Sequence, residues 1–170
     1  MADWKQCRQK AEEVLQKYCI RKPFVDVFDI AQSEGIEIVY FQPQNAKEEG
    51  ISGFIYEETE NGNKKMYINK LDSAQRQVYT VAHELGHYFL AHKPSDYSVL
   101  LRQAIYATQK DEVEKEADCF AAELLMPKKM IEEIKKDYKL TNNDELIMSQ
   151  LFGVSPRAMH NRLNNLLKFE

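Results

Sequence analysis

Five residues, His83-Glu84-Leu85-Gly86-His87, constrain this chain more than any other feature of its sequence. They lie in a run whose apolar positions Val78, Val81, Ala82, Leu85 and Phe89 recur at helical spacing, so the segment reads as a helix with one buried face. The two histidines are four residues apart and project from the same side, separated by one turn. Two imidazoles beside a core face leave polar nitrogens half-buried unless something binds them both. A zinc ion, which takes histidine nitrogen at about 2.0–2.1 Å, meets that need. Glu84 follows about 100° further round the helix. From there it can act on a water at the ion without being a ligand, as a general base must. The pattern therefore points to metal-assisted hydrolysis.

A catalytic zinc takes a third protein ligand and leaves a position for water. The metzincin pattern wants glycine three residues after the second histidine and histidine six after it, but this chain has Leu90 and Lys93. His92 lies roughly 140° off the metal face if the helix continues that far, and reads as a helix-end residue. The segment Asp111–Met126 is the better source. Val113, Ala117, Phe120, Ala121, Leu124 and Leu125 define its apolar face. Glu112, Glu116 and Glu123 fall about 120° from the centre of that face, where solvent is expected, while Glu114 falls only about 60° away. A carboxylate so close to the core needs a cation or hydrogen-bond donors. Asp118, one turn on, can take the spare N–H of a ligating histidine. The expected set is His83, His87 and Glu114 as ligands, Glu84 as base and Asp118 as orienter, with Glu116 as the rival third ligand.

The rest of the chain reads as α+β. Residues 3–18 form an amphipathic helix, and Val25–Glu34 a shorter one closed by Gly35. Ile36–Phe41 is strand-like, and Ile51–Tyr56 with Lys65–Asn69 form a hairpin around Asn61-Gly62-Asn63. Asp72 and Gln75 suggest a capping box, and the metal helix runs to about His92, ahead of Pro94. Helices follow over 128–138, 143–152 and 155–167, with Gly153 at the last joint. A small three-stranded antiparallel or mixed sheet packed on helices is expected, in one domain over 1–170 with residues 139–170 as a helix-turn-helix-like appendage. Ser95–Lys110, between the two ligand helices, is a candidate gate.

Composition excludes several classes. No apolar run approaches the roughly 20 residues of a membrane span. The polar start, Met-Ala-Asp-Trp-Lys, has no apolar signal core, and the three cysteines (Cys7, Cys19, Cys119) form no disulfide-like framework. A cytoplasmic protein with no membrane partner is expected. A net charge of −4 argues against direct nucleic-acid binding. Residues 139–170 carry Lys139, Arg157, Arg162 and Lys168 against Asp144, Glu145 and Glu170, little charge for holding phosphates.

Ala82-His83-Glu84-Leu85-Gly86-His87-Tyr88-Phe89-Leu90, with Glu114-Lys115-Glu116-Ala117-Asp118 through Met126-Pro127, resembles the ImmA/IrrE family of metallopeptidases. Those proteins are similar to gluzincins, in which a ligating Glu precedes Asp or Asn by four residues. Glu114 and Asp118 fit that spacing, and Asp118 stands where the family often has Asn. The resemblance covers about residues 25–165 in layout and implies a zincin-like fold, Zn²⁺ as cofactor, and endopeptidase activity. It further implies a protein substrate: a helix-turn-helix repressor encoded nearby, cleaved to derepress a phage, mobile-element or stress operon. Two other readings stay open. One is a regulatory module that binds a transcription factor without cutting it. The other is a DNA-binding regulator acting through the C-terminal helices. His160 and Asn161 there have no evident partner, Tyr79, Tyr88, Tyr97 and Tyr106 are candidates for oxyanion stabilisation, and Lys65–Asn69 is the expected sheet edge for an extended substrate.

Overall fold

The structure is a computed structural model and describes residues 2–45, 48–57, 62–92 and 112–167. The Asp3 carboxylate accepts from the Gln6 N–H and starts α1 (Trp4–Lys17), which buries Cys7, Ala11, Val14 and Leu15. Helix α2 (Val27–Ser33) begins two residues later than its apolar pattern suggests. The Asp26 carboxylate caps it by accepting from the N–H groups of Phe28 and Asp29. The cysteines are free thiols, and burial pushes that of Cys7 up to about 12.

Strands β1 (Ile36–Phe41), β2 (Gly53–Glu57) and β3 (Lys64–Asn69) form a mixed sheet in the order β1-β3-β2. The expected hairpin is present, with β2 antiparallel to β3 and Ile55 opposite Met66. Strand β1 runs parallel to β3 on its other side. The expectation that Lys65–Asn69 forms the edge is therefore wrong. Strand β3 is hydrogen-bonded on both sides and buries Met66 and Ile68, while β1 and β2 are the two edges, β2 ending in the exposed Tyr56 and Glu57.

Helix α3 (Ala74–Phe89) is capped by Ser73, whose hydroxyl accepts from the Arg76 N–H, one residue after the expected Asp72 cap. It also ends early. Leu90 is the C-cap, and Ala91 has φ +54°, which turns the chain back so that the His92 N–H donates to the His87 carbonyl at 3.0 Å. Helix α4 (Glu112–Leu125) packs against both α3 and α1, and its Ala117, Phe120, Ala121, Leu124 and Leu125 are buried. Helices α5 (Lys128–Tyr138), α6 (Glu145–Phe152) and α7 (Pro156–Leu167) complete the described chain. No described helix is long and apolar enough to cross a membrane.

Two contacts fix α4. The first is the crossing of α3 and α4 at Gly86. A Cβ there would meet the Ala117 Cα at 3.0 Å, the Ala117 carbonyl oxygen at 3.1 Å and the Phe120 Cβ at 3.3 Å. The second comes from α7. Arg162 is 7% exposed, and its guanidinium donates to both carboxylate oxygens of Glu123 and to the Met126 carbonyl. Glu123, expected in solvent, is instead half-buried under the C-terminal helices. That pair of helices turns at Gly153, with φ +68° and no room for a Cβ beside the Phe24 ring. It is tied across by His160, whose Nδ1 lies 2.7 Å from a Glu145 oxygen.

Gly86→Ala sets a helix-propensity gain of about 1 kcal/mol against overpacking of about 1–3 kcal/mol. Because its nearest neighbours are backbone atoms, the overpacking wins, and urea unfolding should show a net loss of about 1 kcal/mol. Arg162→Ala leaves the half-buried Glu123 carboxylate with only the exposed Arg8 guanidinium, 3.6 Å away, and should lower stability by about 2 kcal/mol in the same assay.

Candidate metal centre

Helix α3 presents His83 and His87 on one face, and α4 brings Glu114 against them. The two histidine Nε2 atoms are 3.1 Å apart. Glu114 Oε2 lies 3.3 Å from His83 Nε2, and its Oε1 lies 3.5 Å from His87 Nε2. Ligands held tetrahedrally at about 2.0–2.1 Å stand about 3.3–3.4 Å from one another. The three separations, two of them to different oxygens of Glu114, bracket that spacing, so this donor set fits a zinc-sized ion.

The outward nitrogens support the same fit. His83 Nδ1 is 3.0 Å from Asp118 Oδ1, which also accepts from the Tyr79 hydroxyl at 3.1 Å. A carboxylate only accepts, so this partner assigns a proton to Nδ1 and turns the Nε2 lone pair inward. His87 Nδ1 is 3.0 Å from His92 Nδ1, and His92 Nε2 is 3.0 Å from Glu116 Oε2. Glu116 Oε1 in turn accepts from the Asp3 N–H at 2.7 Å.

The electrostatics favour one positive charge among these groups. Burial pulls the His83 pKa down, but hydrogen bonds to the Asp118 and Glu114 carboxylates outweigh it and raise it to about 10. Burial and the charge of His83 push His87 down to about 4. Glu114 is held below the ordinary carboxylate range, chiefly by its hydrogen bond to His83. A cation is what such a cluster prefers at its centre.

Glu84 stands beside the pair. Ligating atoms of His83, Glu84 and His87 all lie within 4.8 Å of one another. Its carboxylate is 8% exposed and accepts from the Ile55 N–H of β2 at 3.1 Å. Burial pushes its pKa up to about 7, with His83 lowering it and Glu114 raising it.

His83, His87, Glu114 and Asp118 thus converge, with Glu84 adjacent. Glu116, the rival ligand and an expected solvent-facing residue, is half-buried and turned instead toward His92 and Asp3. Tyr79 is bonded to Asp118, while the Tyr88 hydroxyl donates to Glu34. Tyr97, Tyr106 and the candidate gate Ser95–Lys110 lie outside the described residues. His92 is the residue that sequence reasoning missed. A helical wheel carried past Phe89 assigns it the wrong direction, because Ala91 has already reversed the chain.

A family model described as the IrrE N-terminal-like domain, of the M78 peptidases, matches residues 31–164. Over 68 residues, 40% of this chain, the sequence is 37% identical to metallopeptidase ImmA of Bacillus subtilis (strain 168), and the match spans 37% of that protein. Among solved structures, a Mycobacterium tuberculosis transcriptional regulator superposes with a TM-score of 0.59 at 14% identity, covering 91% of this chain and 45% of that one. That second likeness is one of fold, and it accords with the α+β architecture. Each match spans less than half of the relative's own length. The family match takes in both helices on which the histidines and carboxylates converge, and the chain belongs to the ImmA/IrrE family of metallopeptidases.

Proposed function

We propose that this chain is a zinc-dependent endopeptidase that cleaves a helix-turn-helix transcriptional repressor encoded near its own gene, derepressing a phage, mobile-element or stress operon. The observation that carries the enzymatic part is the cluster of His83 Nε2, His87 Nε2 and the Glu114 carboxylate, with separations of 3.1, 3.3 and 3.5 Å, and a second carboxylate, Glu84, within 4.8 Å of both imidazoles. The identity of the substrate rests on the family resemblance.

In this reading His83, His87 and Glu114 hold the ion, and Asp118 keeps His83 in the tautomer that offers Nε2. Bound zinc supplies Lewis acidity, lowering the pKa of water and polarising the scissile carbonyl. Glu84 is the general base: its carboxylate takes a proton from the attacking water and returns it to the leaving amine nitrogen. The Ile55 N–H ties that carboxylate to β2 and so keeps it out of the ligand set. Strand β2 borders the site through this bond, so an extended substrate segment would add along β2, the edge beside the metal centre, and not along the central β3.

The test mixes the protein, its zinc content measured, with the repressor encoded beside its gene. Cleavage at one site is expected, abolished by a chelator and restored by zinc. Glu84→Gln should keep zinc and lower kcat by about 10²–10⁴-fold. His87→Ala and Glu114→Gln should lose zinc along with activity. Repressor binding without cleavage by both wild type and Glu84→Gln would establish a binding module instead. Salt-sensitive operator binding by this chain alone would favour a DNA-binding regulator, although Arg162 faces the interior and is not available to phosphate.

A further inference from the structure

His83 and His87 are supported in different ways. Behind His83 stands a carboxylate, and behind His87 stands a third imidazole that no ligand motif includes. We propose that His92 is a positioning residue of the metal centre. It fixes the orientation and tautomer of His87 through its Nδ1 and is itself fixed by Glu116. This inference rests on the metal-centre reading above.

With both imidazoles neutral, the contacts admit one proton assignment. Glu116 Oε2, 3.0 Å from His92 Nε2, can only accept, so His92 carries its proton on Nε2. His92 Nδ1 is then a lone pair, and it faces His87 Nδ1 at 3.0 Å. His87 must donate there, which leaves its Nε2 lone pair directed at His83 and Glu114. The reverse arrangement sets lone pair against lone pair at Glu116 and puts a proton where a ligand atom is needed. Glu116 thus selects the ligating tautomer of His87 from two bonds away.

The backbone is built for this contact. Ala91 at φ +54° and the bond from the His92 N–H to the His87 carbonyl fold residue 92 back over residue 87. The two rings meet edge to face with centroids 5.1 Å apart, and the His92 side chain is 10% exposed. Glu116 is held from its far side by the Asp3 N–H, at the cap of α1. A line of polar contacts therefore runs from His87 to the start of α1. An imidazole is a weaker acceptor than a carboxylate, but the charge of Glu116 polarises it.

Two substitutions separate positioning from packing. Asn places an amide oxygen near the position of Nδ1 and restores the acceptor without the ring. Phe restores the ring without the acceptor. Zinc affinity is read by competition with a chromophoric chelator, and coordination by the visible spectrum of the cobalt-loaded protein, with thermal unfolding run alongside. His92→Phe should weaken zinc binding by about 10–100-fold and alter the cobalt bands, and His92→Asn should recover much of the loss. Glu116→Gln should weaken binding less, and the Glu116→Gln, His92→Phe double variant should be no weaker than His92→Phe. Wild-type affinity in His92→Phe, a weaker His92→Asn than His92→Phe, or additive losses in the double variant would each overturn the inference. If His92→Phe fails to fold, His92→Asn and Glu116→Gln decide: an unchanged cobalt spectrum and affinity in Glu116→Gln overturns it. Wild-type zinc affinity in His87→Ala would instead overturn the metal-centre reading itself.

Discussion

The site depends on how closely α3 and α4 approach each other. Gly86 lies against the backbone of Ala117, so two helices meet with almost no side chain between them. Each of these small residues has a functional group three positions before it and another one position after. Around Gly86 these are His83 and His87, and around Ala117 they are Glu114 and Asp118. The two residues of each pair are four apart, so they share one face, one turn from each other and about 60–100° round the helix from the contact. The crossing point therefore sets the spacing of all four groups at once. A larger residue at either position would push the carboxylates away from the imidazoles along the whole row.

Once the helices are so close, charge decides which groups can be there. Glu84, Glu114, Asp118 and Glu116 are all half-buried or buried, and each is matched by a donor: Ile55 N–H, the imidazoles, Tyr79 or Asp3 N–H. Burying that many carboxylates is tolerable only because imidazole protons and backbone N–H groups meet them. Helix α4 is central to this arrangement. It faces α3 through Glu114 and Asp118, α1 through Glu116, and α7 through Glu123.

Much of this was legible in the sequence. The four-residue spacing of His83 and His87 and the off-centre angle of Glu114 come from helix periodicity, and the structure brings these residues together. The three strands and the antiparallel hairpin follow from alternation and turn residues. What was not legible depends on tertiary arrangement. Strand order is not encoded in alternation, so the centrality of β3 was missed. A wheel assumes one buried face, whereas α4 is covered on several sides, so Glu116 and Glu123 were assigned to solvent. The same wheel fails at His92 because a single left-handed residue, Ala91, is enough to end its validity.

The contact between α3 and α4 also bears on when the centre can come into being. His83 and Asp118 are 35 residues apart, and the support that Asp3 gives Glu116 spans 113. Closing loops of these lengths costs chain entropy before any donor meets its partner, and such long-range pairings form late. A growing chain that has emerged only through α3 carries the complete five-residue motif without the Glu114 carboxylate. On the proposed ligand set, nascent chains would lack Glu114 beside the histidines until α4 has docked, so the order of assembly would itself delay the chemistry until the fold is nearly complete.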